Sequence, residues 1–175
     1  MRPNPLAQVH PDCLNFKWYE VWKSETASRL EIDNESDDEE VQENAQGLTL
    51  NILQPIRDTH GSTKVNSWFR GEPLEKVITK KAFINWCEEN GLNPTYRTSW
   101  DKYFARKSHP EGAAADIEVA SITNDDLFDW IADNCEYDQL IREYPVKGVP
   151  DSGWVHVSWK AKGNRMQKFT IGEKK

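Results

Sequence analysis

The sequence predicts a single α+β domain, a small and mainly antiparallel sheet covered by helices. Three observations lead there. A chain of 175 residues can bury one good core, so one domain is the default. The run Gly153-Trp154-Val155-His156-Val157-Ser158 alternates with the two-residue period of a strand, with Trp154, His156 and Ser158 on one face and Val155, Val157 and Trp159 on the other. Val41, Ala45, Leu48 and Ile52 recur instead at the spacing of one helix face.

Taken in order, residues 1–15 read as an irregular lead-in to a domain over 16–175. Trp18, Val21 and Trp22 then share one helix face. Glu31 to Glu43 holds eight acidic residues. A calcium loop through Asp33, Glu35 and Asp37 fails, because Asp38 stands where the loop needs glycine and Asn44 where it needs a bidentate glutamate. Ser36 or Asp37 instead caps a helix whose first turn favours the acids that follow. That helix runs through Ile52, kinks at Pro55 and closes at Gly61. Thr63 to Gly71 reads as a strand ending in a turn. Lys80 to Asn90 is a helix stopped by Gly91 and the following Asn93-Pro94. Ile117 to Val119 continues a strand, and Asn124 or Asp125 caps a helix through Leu127, Trp130 and Ile131. Tyr137 to Tyr144 precedes the last strand named above, separated from it by a long turn over Pro145 to Ser152.

Composition narrows the function. Net charge is −7, with 29% charged residues and no basic cluster of the kind that neutralises phosphates, which argues against a nucleic-acid partner. No apolar run approaches the roughly 20 residues that span a bilayer, and Met1-Arg-Pro-Asn-Pro lacks the apolar heart of a signal peptide. The expectation is a monomer made in a cytoplasm, with no membrane partner. Cys13, Cys87 and Cys135 are odd in number and scattered, so they read as buried thiols.

The chemistry sits in Ser108-His109-Pro110-Glu111-Gly112-Ala113-Ala114-Ala115-Asp116-Ile117, taken with His156. Two histidines and an aspartate form a ligand set that holds a catalytic zinc and leaves one coordination position open. Zinc accepts these ligands at only about 2.0–2.2 Å. Straight strand would set His109 and Asp116 roughly 23 Å apart, and helix about 10 Å. The chain must therefore fold back between them, and Gly112 is where it can.

The pattern His109-Pro-Glu-Gly112-Ala-Ala114-Ala115-Asp116-Ile117, followed by Trp154-Val-His156-Val, resembles the zinc D-Ala-D-Ala carboxypeptidases. These are peptidoglycan-cleaving metallopeptidases of bacteria and phages, related in fold to the vancomycin-resistance dipeptidases and the hedgehog signalling domain. Leu53-Gln-Pro55-Ile-Arg57-Asp58, with Ser67-Trp-Phe-Arg70, is similar to the entry half of that domain, and Asp138-Gln-Leu-Ile-Arg-Glu143 to the strand before its second histidine. Gly163-Asn164-Arg165 is similar to the family's end, where Asn164 and Arg165 read as structural pins.

The resemblance implies one zinc per chain, held by His109, Asp116 and His156, and hydrolysis of peptide bonds in the peptidoglycan stem as a D,D-carboxypeptidase or an endopeptidase. A phage lysin, released to the cell wall or carried in a virion, fits the missing signal peptide. Arg70 matches the family's carboxylate-binding arginine, and Ser67, Ser108 and Trp154 join it as substrate contacts. Many members carry their proton-transferring acid three residues before the second histidine, which is Gly153 here. Glu143 is the expected replacement, and Asp151 the alternative. Two further departures stand out. Residues 77–106 form an insertion beside the site, and Lys107 occupies a position where the family prefers serine. The competing expectation is a non-catalytic structural or binding module that keeps the fold.

Overall fold

The computed structural model describes residues 1–174. The α+β expectation holds, with a five-stranded sheet at the centre. The chain opens with a hairpin, β1 (Gln8–His10) and β2 (Cys13–Lys17), followed by α1 (Trp18–Trp22) and α2 (Glu25–Arg29). Next come α3 (Glu39–Leu48), a π-helical turn (Thr49–Leu53), α4 (Gln54–His60) and β3 (Thr63–Ser67). Three helices follow, α5 (Glu72–Ile78), α6 (Lys80–Glu89) and α7 (Arg97–Phe104). The second half holds β4 (Ala114–Val119), α8 (Asn124–Asn134), β5 (Gln139–Glu143), β6 (Trp154–Ser158) and β7 (Gln167–Ile171).

Strand order is β3-β4-β6-β5-β7, antiparallel throughout except for the parallel pair β5 and β7. Because side chains alternate across a strand, this register gives the sheet two unlike faces. Ile117, Val119, Leu140, Val155 and Val157 point into the main core, where they meet Leu48, Ile52 and Ile56 of the α3–α4 helix and Leu127 and Ile131 of α8. Full burial of each such side chain is worth about 1.5–3 kcal/mol relative to exposure. The opposite face carries Asp116, Ile141, Glu143, Trp154 and His156.

Several expectations about element limits are corrected. Residues 1–15 are not wholly irregular, since Val9 and Cys13 of the hairpin are buried, as is Phe16 of its second strand. The cap of α3 is Asp38, which accepts from the Glu40 amide, rather than Ser36 or Asp37. Thr123 caps α8 by accepting from the Asp126 amide, rather than Asn124 or Asp125. Around Pro55 the helix widens into a π-turn, as expected where proline has no N–H to offer the preceding turn. Helices α5 to α7 occupy most of the segment 77–106 expected as an insertion and carry a small core of their own, Phe83, Cys87, Trp100 and Tyr103. All three cysteines are free thiols.

Candidate metal centre

His109 lies in the turn that joins α7 to β4. The Gly112 amide donates to the His109 carbonyl and the Ala113 amide to that of Ser108, closing the fold-back between the first two ligand positions. Gly112 takes φ +72°, and an added Cβ would lie 2.5 Å from the Val41 carbonyl oxygen, so glycine is required twice over. Trp68 Nε1 donates to the Gly112 carbonyl and clamps the turn from behind.

Asp116 and His156 are direct cross-strand partners on β4 and β6, and the turn brings His109 against them. One ligand atom from each of the three side chains lies within 4.8 Å of the others. Asp116 Oδ1 is 2.9 Å from His156 Nδ1 and 3.3 Å from His109 Nε2. Tetrahedral zinc with bonds of 2.0–2.1 Å separates its ligand atoms by about 3.3–3.5 Å, which both Asp116 separations approach, while the two histidines lie within 4.8 Å of each other. His109 Nδ1 is 2.6 Å from the Trp68 carbonyl oxygen. A carbonyl can only accept, so this nitrogen carries the proton and Nε2 is left as the free donor atom.

All three side chains are buried. Burial holds His109 down to about 4, and the neighbouring Arg70 charge acts in the same direction. Burial works to raise Asp116, but the two histidines beside it hold it well below the usual carboxylate value. At neutral pH the cluster thus offers a neutral imidazole at His109 and an ionised carboxylate, the forms that bind metal.

The cluster forms the floor of an open cleft of about 610 Å³. Glu143 stands on the same sheet face, opposite Trp154 and about 7 Å along the strand from the Ile141–His156 pair. Its pKa is raised, first by burial and then by the charge of Asp116. Trp154 lines the cleft with its ring 5.2 Å from that of Tyr144. Ser108 lines the wall.

Arg70 enters the cleft already engaged. Its Nη2 donates to Asp116 Oδ2 at 2.5 Å and its Nε to Ser67 Oγ at 2.7 Å, while Nη1 faces Glu75 Oε2 at 3.9 Å. Ser67, expected to contact substrate, is not among the residues lining the cleft, and its Oγ accepts from Arg70. Asp151, the alternative acid, lies outside the cleft, in a separate depression with Lys64, Glu118 and Asn124. Its backbone carbonyl accepts from Asn124 Nδ2, which fixes the turn at that end.

Sequence reasoning missed Glu75 and Tyr103, which α5 and α7 bring to the cleft wall. Glu75 is 1% exposed, Oε2 has no hydrogen-bond partner, and burial raises its pKa against the opposing charge of Arg70. The helix start was legible in Gly71-Glu72-Pro73, since proline favours the first turn. Nothing in that pattern says that the glutamate one turn in is buried.

The sequence matches no protein-family model, and no curated protein matches it.

Proposed function

We propose that this chain is a zinc-dependent peptidase that hydrolyses peptide bonds in the peptidoglycan stem, as a D,D-carboxypeptidase or an endopeptidase. The observation that carries the reading is the convergence of His109, Asp116 and His156 on the floor of an open cleft, with Glu143 on the same sheet face. The likeness of residues 109–117, 138–143 and 154–157 to the peptidoglycan carboxypeptidases supplies the substrate class. Zinc in this ligand set supplies Lewis acidity, which polarises a scissile carbonyl and acidifies water.

The remaining work falls to the protein. Glu143 takes the proton of the attacking water and hands it to the leaving amine. Its raised pKa suits that exchange, because a proton carrier works best when its pKa approaches the operating pH. Arg70 fixes Asp116 through Oδ2, which leaves Oδ1 facing the two histidines. Trp154 and Tyr144 form an aromatic flank along which a peptide can lie. Action on the cell wall after phage-type release is part of the same proposal.

The test is metal analysis paired with turnover. Purified protein should hold about one zinc per chain and release fragments from purified peptidoglycan that mass spectrometry can assign to a bond. His156→Ala should lose both metal and turnover. His10→Ala and His60→Ala should keep both, since His10 sits at the hairpin and His60 packs edge-on against Trp130. Zinc bound without any turnover would overturn the enzymatic reading and leave a binding module.

A further inference from the structure

Basic side chains around the cleft fall into two groups. Arg70 is committed to Asp116, Ser67 and the buried Glu75. Lys107 and Arg106 make neither an ion pair nor a side-chain hydrogen bond among the described residues, although both line the cleft. Each lies over an aromatic ring instead: Lys107 Nζ is 4.2 Å from the Tyr103 centroid, and Arg106 Cζ is 5.3 Å from that of Trp86. A ring face orients a cation without neutralising it, so the N–H donors stay free for an anion.

These two residues also stand at a junction. A second depression of about 260 Å³ shares Arg106, Lys107, Ser108 and Gln139 with the cleft, so the two are neighbours across one wall. Farther along it, Lys160 and Arg165 are already paired with Asp138. Arg106 and Lys107 are therefore the cations of this groove that form no ion pair; the Lys107 charge is felt by Glu75 and Glu143 across the cleft, and Glu111 lines the second depression beside them. Lys107 is two residues before His109, so their α-carbons are at most about 7 Å apart. That distance suits a group one or two residues from the bond held at the metal ligands.

We infer that Lys107 and Arg106 form a subsite for a carboxylate of an acidic peptide, and that this chain selects the free carboxylate over its amide. The inference rests on the peptidase reading for the kind of ligand, and it moves carboxylate recognition from Arg70 to a pair outside the metal cluster. A stem pentapeptide with lysine at its third position offers two such groups, the free carboxylate of its γ-linked D-glutamate and its C-terminus.

The probes are that pentapeptide, acetylated and with both groups free, and two versions in which one or the other is amidated. Calorimetric titration into Glu143→Gln protein measures binding with the peptide intact. Amidating the contacted carboxylate should weaken binding roughly ten- to a hundredfold, the usual worth of a hydrogen bond to a charged group, and the arm that weakens identifies the source. Adding Lys107→Gln with Arg106→Gln should erase the difference, whereas Lys107→Arg should keep most of it. Equal binding of all three peptides, no binding of any, or a preference that survives the double replacement overturns the inference. If the preference is present but protein with Glu143 intact cleaves no stem peptide, the peptidase reading fails and the subsite stands. Cleavage without preference gives the reverse.

Discussion

Gly153 packs directly onto the backbone carbonyl of Glu143. Its φ is +63°, and a Cβ added there would run into that carbonyl and the Tyr144 backbone behind it. The position three residues before His156 therefore takes a side chain only if the surrounding backbone shifts. On the peptidase proposal the proton-carrying carboxylate then comes from elsewhere in the chain, and the Glu143 strand presses on this same spot. Gly153→Ala should lower stability by about 2 kcal/mol or more, from left-handed backbone strain plus overpacking. Urea denaturation checks this, and an unchanged midpoint would mean that the turn reshapes without cost.

Glu143→Gln should fold and bind zinc normally yet lose about 10²–10⁴-fold in hydrolysis, the usual effect of removing a proton carrier. Asp151→Asn should stay active, since Asp151 belongs to a different depression. Steady-state rates on a stem peptide, with metal content measured on the same samples, decide between them. Full activity in both variants would sink the assignment of Glu143.

The convergence of His109, Asp116 and His156 was legible because two simple constraints acted together. A seven-residue gap between His109 and Asp116 had to fold back, and strand alternation put His156 on the polar face. The helix over Lys80 to Asn90 was legible but the chemistry of its neighbours was not, because sequence does not reveal that Glu75 is buried beside Arg70. Proximity along the chain misled in the case of Asp151, which the turn before Gly153 carries away from the cleft. The β1–β2 hairpin was missed because its buried groups, Val9, Cys13 and Phe16, are too few and too widely spaced to show a period. At α8 the expected Asn124 yielded to Thr123, one residue earlier, while Asn124 itself is buried and ties Asp151 and Gly153 through its side-chain amide.

Asp138 gives a prediction about pH. It is buried and accepts from Arg165 Nε at 2.7 Å and Nη2 at 2.5 Å, with Lys160 at 3.5 Å. The Arg165 hydrogen bonds hold its pKa below the ordinary value, against the effect of burial. A carboxylate whose folded pKa is depressed adds stability that is fully present above the unfolded pKa, about 3.9, and is lost as pH falls through the folded one. Asp138→Asn should cost roughly 1–2 kcal/mol at pH 7, a modest figure because Arg165 is 46% exposed. The gap should shrink below about pH 4 and vanish in stronger acid. Denaturation at pH 7 and pH 3 tests this, and a gap that does not change with pH would assign the loss to packing.

The contact between Arg70 and Asp116 changes what replacing the arginine should do. A residue that only gripped substrate could become lysine with little effect on metal. Here Nη2 holds Asp116 Oδ2, and Ser67 Oγ fixes the guanidinium through Nε, so the arginine orients from behind the carboxylate proposed as a metal ligand. Removing such an outer partner typically lowers metal affinity 10–100-fold. Lysine has no planar fork to span Asp116 and Ser67 together, so Arg70→Lys should already show much of the loss. Ser67→Ala should show a smaller one, because it frees only the Nε end. Competition with a chromophoric chelator measures zinc affinity without reference to turnover. An Arg70→Lys protein that keeps full zinc affinity but binds stem peptide poorly would return the arginine to the substrate and take carboxylate recognition away from Lys107.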